Sequence, residues 1–260
     1  MRIIRSLRWL VLLFSISTWG QFHFSGEIDE EFRNGEVYLS IIEDYRKIDG
    51  LHSEQILQRT KADSAGVFHF KGSNLPISNR IYRIHIDTCP DDEKMLNHFS
   101  GHCENSREVL FIANNSDSLG FPFSFDKQMF CSIEGSKKKA SAILRIDSLQ
   151  NEMKYNFAAY PSDANDKVNT ENWFKKLQDF GTSLDEPLAE LYIYRLLSER
   201  GGRFYDFYLK DLSQNSYYEK LLDRLQNNYP ETLYAKQLEE ELEADKFVLD
   251  RRQSIPWWAY

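Results

Sequence analysis

From Gln21 to Glu134, apolar and polar residues alternate with a period of two, which is typical of half-buried β-strands. Turn signals separate the runs at Arg33-Asn34-Gly35, at Asp49-Gly50 and at Asp63-Ser-Ala-Gly66. The apolar positions of the clearest runs are Phe22, Phe24, Val37, Leu39, Ile41, Phe68, Phe70, Tyr82, Ile84 and Ile86. About seven or eight short strands at this spacing predict an antiparallel β-sandwich.

After the polar segment Gly135-Ser-Lys-Lys-Lys139 the apolar period becomes helical. The first helix is predicted from a stripe of apolar residues at helical spacing: Ala142, Ile146, Leu149, Met153 and Phe157. Tyr160-Pro161 is expected to end this helix, and residues 162–169 are expected to form a polar loop. A layer of packed helices is therefore predicted to follow the sandwich.

Cap and stop signals divide the rest of this layer. A second helix is expected to start at Thr170 and to stop at Gly181, and a third to start at Pro187. Ser216, with Glu219 three residues later, has the pattern of a capping box. The last helix is expected after Tyr229-Pro230, because proline breaks the preceding helix.

The first 20 residues have the pattern of an export signal. Three arginines precede a short apolar core, Trp9–Ile16, and small residues lie just before Gln21. A retained membrane anchor is the alternative, but the core is shorter than the roughly 20 apolar residues that a spanning helix needs. We therefore expect a cleaved signal and a mature chain in the periplasm.

The acidic charge excludes one class of partner. The chain has 32 basic and 40 acidic side chains, and loss of the signal, which holds three arginines and no acid, leaves a net charge of −11. A chain with this charge is repelled by a polyanion, so nucleic-acid binding by this region is not expected.

The three cysteines lie in one window, at positions 89, 103 and 131. Export favours a disulfide between Cys89 and Cys103, and closure of this loop of about 15 residues contributes roughly 3 kcal/mol. Cys131 alternates with strand residues and is expected to be a buried free thiol. The pairings Cys89–Cys131 and Cys103–Cys131 stay open, because spacing does not settle connectivity.

No motif predicts catalysis or a cofactor. The chain has no Cys-x-x-Cys, no Gly-x-Ser-x-Gly, no P-loop and no His-Glu-x-x-His. The cysteine loop also holds His98 and His102, but His102 is adjacent to Cys103, which is awkward for shared zinc ligation. Asp163-Ala-Asn165-Asp166 begins like a calcium loop, yet Lys167 occupies a ligand position. His69 and His85 alternate with core residues and are expected on the surface or the other sheet face, so we predict neither an enzyme nor a metal site.

The last ten residues place Trp257, Trp258 and Tyr260 after two arginines. Aromatic residues in this company are typical of a membrane–water interface. The alternatives are a tail that packs on the helical domain and a dimer contact. The predicted order is thus a signal peptide (1–20), a β-sandwich with its cysteine-bounded loop (21–134), a helical domain (135–250) and a juxtamembrane-like tail (251–260).

Four segments of the β half carry a resemblance to a known module: Phe22-His-Phe-Ser-Gly-Glu-Ile28, Gly35-Glu-Val-Tyr-Leu39, Asp63-Ser-Ala-Gly-Val-Phe-His-Phe70 and Arg80-Ile-Tyr-Arg-Ile84. They resemble the β-sandwich of unknown function that precedes thioredoxin-like reductases of the TlpA/ResA type. The resemblance covers residues 22–87 and rests on glycine turns and alternating aromatic residues. The thioredoxin domain and its Cys-x-x-Cys are absent from this sequence.

The whole layout is similar to a second group, the periplasmic regions of membrane-anchored regulators that carry a cytoplasmic LuxR-type helix-turn-helix. This resemblance implies a non-catalytic sensor region that binds a periplasmic ligand or protein and contacts the inner membrane near its C-terminus. No functional residue carries over. The rival interpretations are an accessory region of a thiol–disulfide oxidoreductase, with Cys131 as a mixed-disulfide partner, and a structural envelope protein.

Overall fold

The computed structural model describes residues 21–28, 30, 35–86, 107–121, 133–135, 138–159 and 163–254. Within these residues the chain forms two β-sheets followed by six helices. The fold is therefore of a mixed β+α class, as the change from a period of two to a helical period predicts.

Seven strands make up the two sheets of the described chain. They are β1 (Phe22–Glu27), β2 (Glu36–Ile42), β3 (Ile56–Lys61), β4 (Val67–Gly72), β5 (Arg80–Ile86), β6 (Arg107–Ala113) and β7 (Ser118–Phe121). One sheet has the order β4-β1-β7, in which β1 and β7 run parallel, and the other has the antiparallel order β3-β2-β5-β6. The strands are thus antiparallel apart from one parallel pair.

Aromatic rings from the two sheets are in contact. The ring of Phe24 on β1 lies 5.2 Å from that of Phe111 on β6 and 6.2 Å from that of Tyr82 on β5. Phe111 also meets Phe121 of β7, edge to face, at 5.1 Å. The residues predicted to point inward therefore share one buried apolar cluster.

The four-stranded sheet is buried on its other face as well, where it meets the helices. Ile42, Ile81 and Ile112 lie opposite one another on three adjacent strands and belong to the same buried cluster as the helical leucines. Every residue of β5 is consequently buried, including those at the polar positions of the alternation. This sheet is therefore buried on both faces along β5.

The helices, with a short 3-10 turn at Tyr45–Lys47, cover that face. They are α1 (Ala142–Ala159), α2 (Asp163–Leu184), α3 (Pro187–Leu197), α4 (Tyr205–Leu212), α5 (Tyr217–Asn228) and α6 (Tyr234–Ser254). None of the helices that the structure describes combines the length and the apolar composition that crossing a bilayer requires.

The predicted polar loop at 162–169 and the helix start at Thr170 are wrong, because α2 runs without a break from Asp163. The Thr170 hydroxyl donates to the carbonyl of Asp166 one turn earlier, at 2.6 Å, and does not cap a helix. Gly181 does not stop α2 either. A Cβ at this position would lie 2.6 Å from the side chain of Ile193, so the glycine lets α2 approach α3 closely.

Two other helix signals also differ. Ser216 precedes α5, but its side chain makes no capping hydrogen bond, so the predicted capping box is wrong. The Asn215 side chain accepts from the Tyr217 amide instead, at 3.0 Å. Helix α4 has no counterpart in the prediction, since its eight residues begin just after Gly201-Gly202 and Arg203-Phe204 and span only about two turns.

The segment predicted as a polar hinge is fastened to the sheets at its last residue. The Lys139 ammonium lies 2.9 Å from Asp117 and donates to the Asn79 side chain at 2.5 Å. The next residue, Ala140, is fully buried. The first helix is therefore anchored beside the start of β7.

Candidate functional site

A cleft of about 320 Å³ lies where the edge strand β6 meets helices α1 and α3. Its volume falls in the range of small-molecule sites. Its lining combines an apolar wall with polar groups: Val109, Leu110, Leu144 and Leu196, and Glu108, Asp147, Gln150, Asn151, Lys154 and Tyr192. Each side of the cleft thus belongs to a different half of the molecule.

Helix α1 supplies most of the polar groups because of its period. Positions 147, 150, 151 and 154 follow the spacing that places side chains on one helix face. Ala142, Ile143 and Ile146 point to the buried side of the same helix. The two stripes of α1 therefore have separate tasks, one in the core and one in the cleft.

Asp147 and Tyr192 are the two groups of the cleft whose pKa values are raised by this environment. The Tyr192 hydroxyl donates to its carboxylate at 2.7 Å. Burial raises the pKa of Asp147 to about 6, and Glu108 acts in the same direction, while the Tyr192 hydrogen bond opposes both. Burial and the nearby Asp147 also raise the pKa of Tyr192 well above its usual value. Asp147 therefore changes charge near pH 6 while its phenol partner stays neutral.

Glu108 on the opposite wall pairs with a buried arginine. The Arg83 Nε lies 2.9 Å from a Glu108 carboxylate oxygen, and the Arg83 side chain is fully buried. The Arg83 guanidinium also donates to the carbonyl oxygens of Ile48 and Gly50. Burial lowers the pKa of Arg83, and the Glu108 charge counteracts this shift.

This pair connects the cleft to helix α3 by a second path. Asp49 lies between the two carbonyls that Arg83 binds, and it accepts from the Arg195 guanidinium of α3 at 2.8 Å. Glu108, Arg83, the 48–50 loop and Arg195 of α3 thus form a continuous chain of contacts. The cleft and α3 are joined both directly, through Tyr192, and indirectly.

The chemistry of the cleft suits an amphoteric small molecule. The carboxylates of Asp147 and Glu108 each have further acceptor capacity for a donor group, and Lys154 places a positive charge at the exposed rim. The leucines supply an apolar wall against which a hydrocarbon group packs. No set of three or more His, Cys, Asp or Glu side chains in the described part of the chain is placed to hold a metal ion.

A larger cleft of about 560 Å³, between the 3-10 turn, the end of α3 and α6, is less suited to a ligand. Its three arginines already have acidic partners. Arg46 lies 3.3 Å from Glu240, and Arg200 lies 3.2 Å from Asp245. Arg195 is held by Asp49. These internal ion pairs make the cleft a polar seam that joins α6 to the rest of the molecule.

The predicted site residues have no described position. Cys89, Cys103 and Cys131 lie outside the described residues, as do Trp257, Trp258 and Tyr260. The disulfide, the free thiol and the membrane contact therefore stay predictions. His98 and His102, considered above as zinc ligands, also lie outside the described residues.

The two strand histidines have different surroundings. His69 is exposed on the outer face of β4 and meets His23 of β1. His85 is buried on β5, where its ring stacks on Tyr38 of the adjacent strand β2 with the centroids 4.8 Å apart. Both histidines therefore lie on the sheet face opposite the core residues, as expected, and only His69 is exposed.

Sequence reasoning did not find Glu108, Asp147 or Tyr192, because none belongs to a motif. Glu108 was part of an ordinary strand and Tyr192 of an ordinary apolar helix stripe. The one available signal was the polar face of α1, at positions 147, 150, 151 and 154, opposite its apolar stripe. A polar helix face is usually solvated, so this signal alone does not indicate a site.

Comparisons with models of known families, with curated proteins and with solved structures found no match for this chain. The resemblances to thioredoxin-associated modules and to regulator ectodomains therefore stay predictions.

Proposed function

We propose that this chain is a non-catalytic ligand-binding region of an exported, membrane-anchored signalling protein, and that the cleft between β6, α1 and α3 is its binding site. One observation supports this most. The cleft is lined by the sheet on one side and by helices on the other, so that an occupant contacts both halves at once. Such an occupant changes how the two halves pack.

We further propose that the two sheets constitute a β-sandwich. The contacts of Phe24 with Tyr82 and Phe111 support it, because each joins a strand of one sheet to a strand of the other. The sandwich supplies a rigid support for β6. Helices α1 and α3 are then the elements that move when the cleft fills.

The signal would leave the cleft through the last helix. Helix α6 is held to the β half by two phenols: Tyr234 donates to the carbonyl of Ile42, and Tyr45 donates to Glu241 at 2.6 Å. Tyr45 also packs against Tyr194 of α3, with the ring centroids 6.3 Å apart. A shift of α3 would therefore displace Tyr45 and, through its hydrogen bond to Glu241, would move α6 toward its C-terminus.

The ligand class proposed for the cleft is an amino acid or a similar small zwitterion. Its ammonium would bind Asp147 and Glu108, and its carboxylate would bind Lys154. An aliphatic side chain would pack against Leu144 and Leu196. A neutral sugar leaves the Lys154 charge unused, and a dianion meets two carboxylates, so both bind less well in this arrangement.

The test is a binding screen on the full chain. The panel contains the 20 standard amino acids, with simple polyamines and dicarboxylates for comparison, and the readouts are thermal shift and calorimetry. We expect an amino acid to bind, and Asp147→Asn and Lys154→Gln each to weaken binding about tenfold, as loss of a charge-assisted hydrogen bond predicts.

Two exposed residues of α6, Glu243 and Lys236, provide charge-matched controls in the variants Glu243→Gln and Lys236→Gln. These should bind like the parent chain. Binding that is equal in all four variants would remove the cleft as the site. If no member of the panel binds at millimolar concentration, the proposed ligand class is wrong.

Export and the disulfide have their own test. We expect the mature chain to begin at Gln21 and to carry a Cys89–Cys103 bond, which intact mass and a peptide digest with and without reductant would measure. Three free thiols, or a chain recovered from the cytosol with residues 1–20 attached, would contradict the proposed location.

A further inference from the structure

The exposed face of the three-stranded sheet carries a close pair of histidines that the proposed function does not use. His23 lies on β1 and His69 on the adjacent antiparallel strand β4. The Nε2 of His23 is 3.3 Å from the Nδ1 of His69, and the ring centroids are 5.5 Å apart. In the register, Ser25 is opposite His69 and Lys71 is opposite His23, so the histidines form a diagonal cross-strand pair.

We propose that His23 and His69 form a binding site for a divalent transition-metal ion such as Ni²⁺ or Zn²⁺. Imidazole nitrogens bind Zn²⁺ at about 2.0–2.1 Å, so two of them at a tetrahedral angle lie about 3.3–3.4 Å apart. The distance between the facing nitrogens of the pair has this value. The two facing nitrogens now point at each other, so metal binding requires both rings to rotate until their lone pairs meet at a common point beside the present contact.

The chemistry of the pair permits this without a change in net protonation. Each neutral imidazole carries one N–H and one lone pair. In the hydrogen bond between the rings, one of the facing nitrogens donates. When a metal binds, the donor ring moves its proton to its other nitrogen, and both facing nitrogens then present lone pairs. Water or an external ligand completes the coordination.

The scaffold holds both ligands in place. Strands β1 and β4 pair in a continuous antiparallel register from Phe22 opposite Gly72 to Glu27 opposite Val67. Their inner faces are fixed by buried phenylalanines on either side of each histidine, namely Phe22, Phe24, Phe68 and Phe70. Ligands on paired strands lose little backbone freedom on binding, which favours affinity.

Lys71 opposes the site. It faces the same side as His23, and its positive charge repels a bound cation. Removal of this charge in Lys71→Gln should therefore tighten metal binding, by about threefold at moderate ionic strength.

The test is calorimetric titration of the full chain with Ni²⁺ and Zn²⁺, with Mg²⁺ as a hard-ion control that should not bind imidazole. We expect His23→Asn and His69→Asn each to weaken binding by about tenfold or more, by analogy with the cost of disturbing a metal site. The double variant should lose little more than either single variant, because both residues hold the same ion. Unfolding temperature should rise with Ni²⁺ in the parent chain and not in the variants.

Two control variants separate this site from other histidines. His52→Asn changes a histidine in the 3-10 region, and a His98→Asn/His102→Asn variant changes the two in the cysteine loop. Both should bind like the parent. Binding that survives in His69→Asn, or that is lost in the His98/His102 variant alone, overturns the proposal. Because His23 and His69 lie on the outer face of the sheet, circular dichroism and metal-free melting should show folded variants throughout.

Discussion

The two buried cores of this molecule are filled by different chemistry. The core between the sheets is largely hydrocarbon, with six phenylalanines that are at most 1% exposed: Phe22, Phe24, Phe68, Phe70, Phe111 and Phe121. The helical core contains seven buried tyrosines instead: Tyr45, Tyr194, Tyr205, Tyr208, Tyr218, Tyr229 and Tyr234. Ring packing is close in both, but the second core has seven tyrosine hydroxyls to satisfy, whereas the first has only that of Tyr82 among the described residues.

The tyrosines satisfy their hydroxyls largely with carboxylates. Tyr208 donates to Asp245 at 2.9 Å and Tyr218 to Asp211 at 3.2 Å. Tyr45 and Tyr229 donate to Glu241 and Glu186. A buried carboxylate is costly unless it is hydrogen-bonded, so each pair is stabilising only as a pair. The helical half is therefore held by directional contacts, and the sheet half by contacts that need only shape.

The largest expected effect tests the sheet core. Phe111→Ala removes the ring that touches Phe24, Tyr82 and Phe121, and leaves a cavity between the sheets. We expect the free energy of unfolding to fall by about 3–5 kcal/mol, measured by denaturant unfolding. The control is Phe247→Ala on α6, which is 61% exposed and should change stability little. A loss below about 1 kcal/mol in Phe111→Ala would show that the sheets do not share a packed core.

The second effect tests the directional core. Tyr208→Phe keeps the ring packing with Tyr194 and Tyr218 but deletes the hydroxyl that donates to Asp245. We expect a loss of about 1.5–3 kcal/mol, because a hydrogen bond to a charged group is removed and Asp245 stays buried. If Tyr208→Phe is neutral, the carboxylate pairing does not stabilise the helical half. The double variant Tyr208→Phe/Asp245→Asn should lose less stability than the sum of the two single variants, because both substitutions remove the same hydrogen bond.

The third effect is a pH dependence at the junction of the halves. The pKa of Asp147 is raised to about 6 from an ordinary 3.8, so the native state prefers the protonated form. Its contribution to stability is thus fully present below pH 3.8 and is lost as the pH rises through 6. Because Asp147 keeps some contact with solvent, which screens part of this shift, we expect about 1–2 kcal/mol across this interval.

Asp147→Asn isolates this contribution. The amide still accepts a hydrogen bond from Tyr192 but does not titrate. The unfolding free energy of the variant, relative to that of the parent, should therefore rise between pH 4 and pH 7.5. The measurement is the difference in unfolding free energy between parent and variant at each pH, which cancels the other groups. A constant difference across this range would place the Asp147 carboxyl in water.

The sheet half was predictable from the sequence because its signals are local. Alternation placed Phe24 and Tyr82 inward, and glycine turns such as Asp63–Gly66 marked the strand ends. What the alternation could not show is that β5 is covered on both faces. Arg83 occupies a polar position of the pattern, yet it is fully buried, because the helices that cover it come from residues more than 50 positions later.

The helical half was predicted less well because its signals are tertiary. Local rules interpret Gly181 as a helix stop and Thr170 as a helix start. In the structure, Gly181 allows close packing against Ile193, and the Thr170 hydroxyl donates a hydrogen bond within its own helix. The cleft was missed for the same reason. Glu108 and Asp147 are 39 positions apart and meet only when α1 packs beside β6.

The smallest effect gives the sharpest contrast between the two cores. Tyr82 is the buried tyrosine of the sheet core, and its hydroxyl has no hydrogen-bond partner among the described residues. Tyr82→Phe removes a buried unsatisfied group and keeps the ring that stacks on Phe111. We therefore expect no loss of stability, or a gain of about 1 kcal/mol, whereas the same substitution at Tyr208 is destabilising.

Denaturant unfolding of the two Tyr→Phe variants side by side tests whether their changes in unfolding free energy have opposite signs. A loss above about 1 kcal/mol at Tyr82 would mean that its hydroxyl is hydrogen-bonded in solution, for example to a buried water, and that the sheet core also depends on directional contacts.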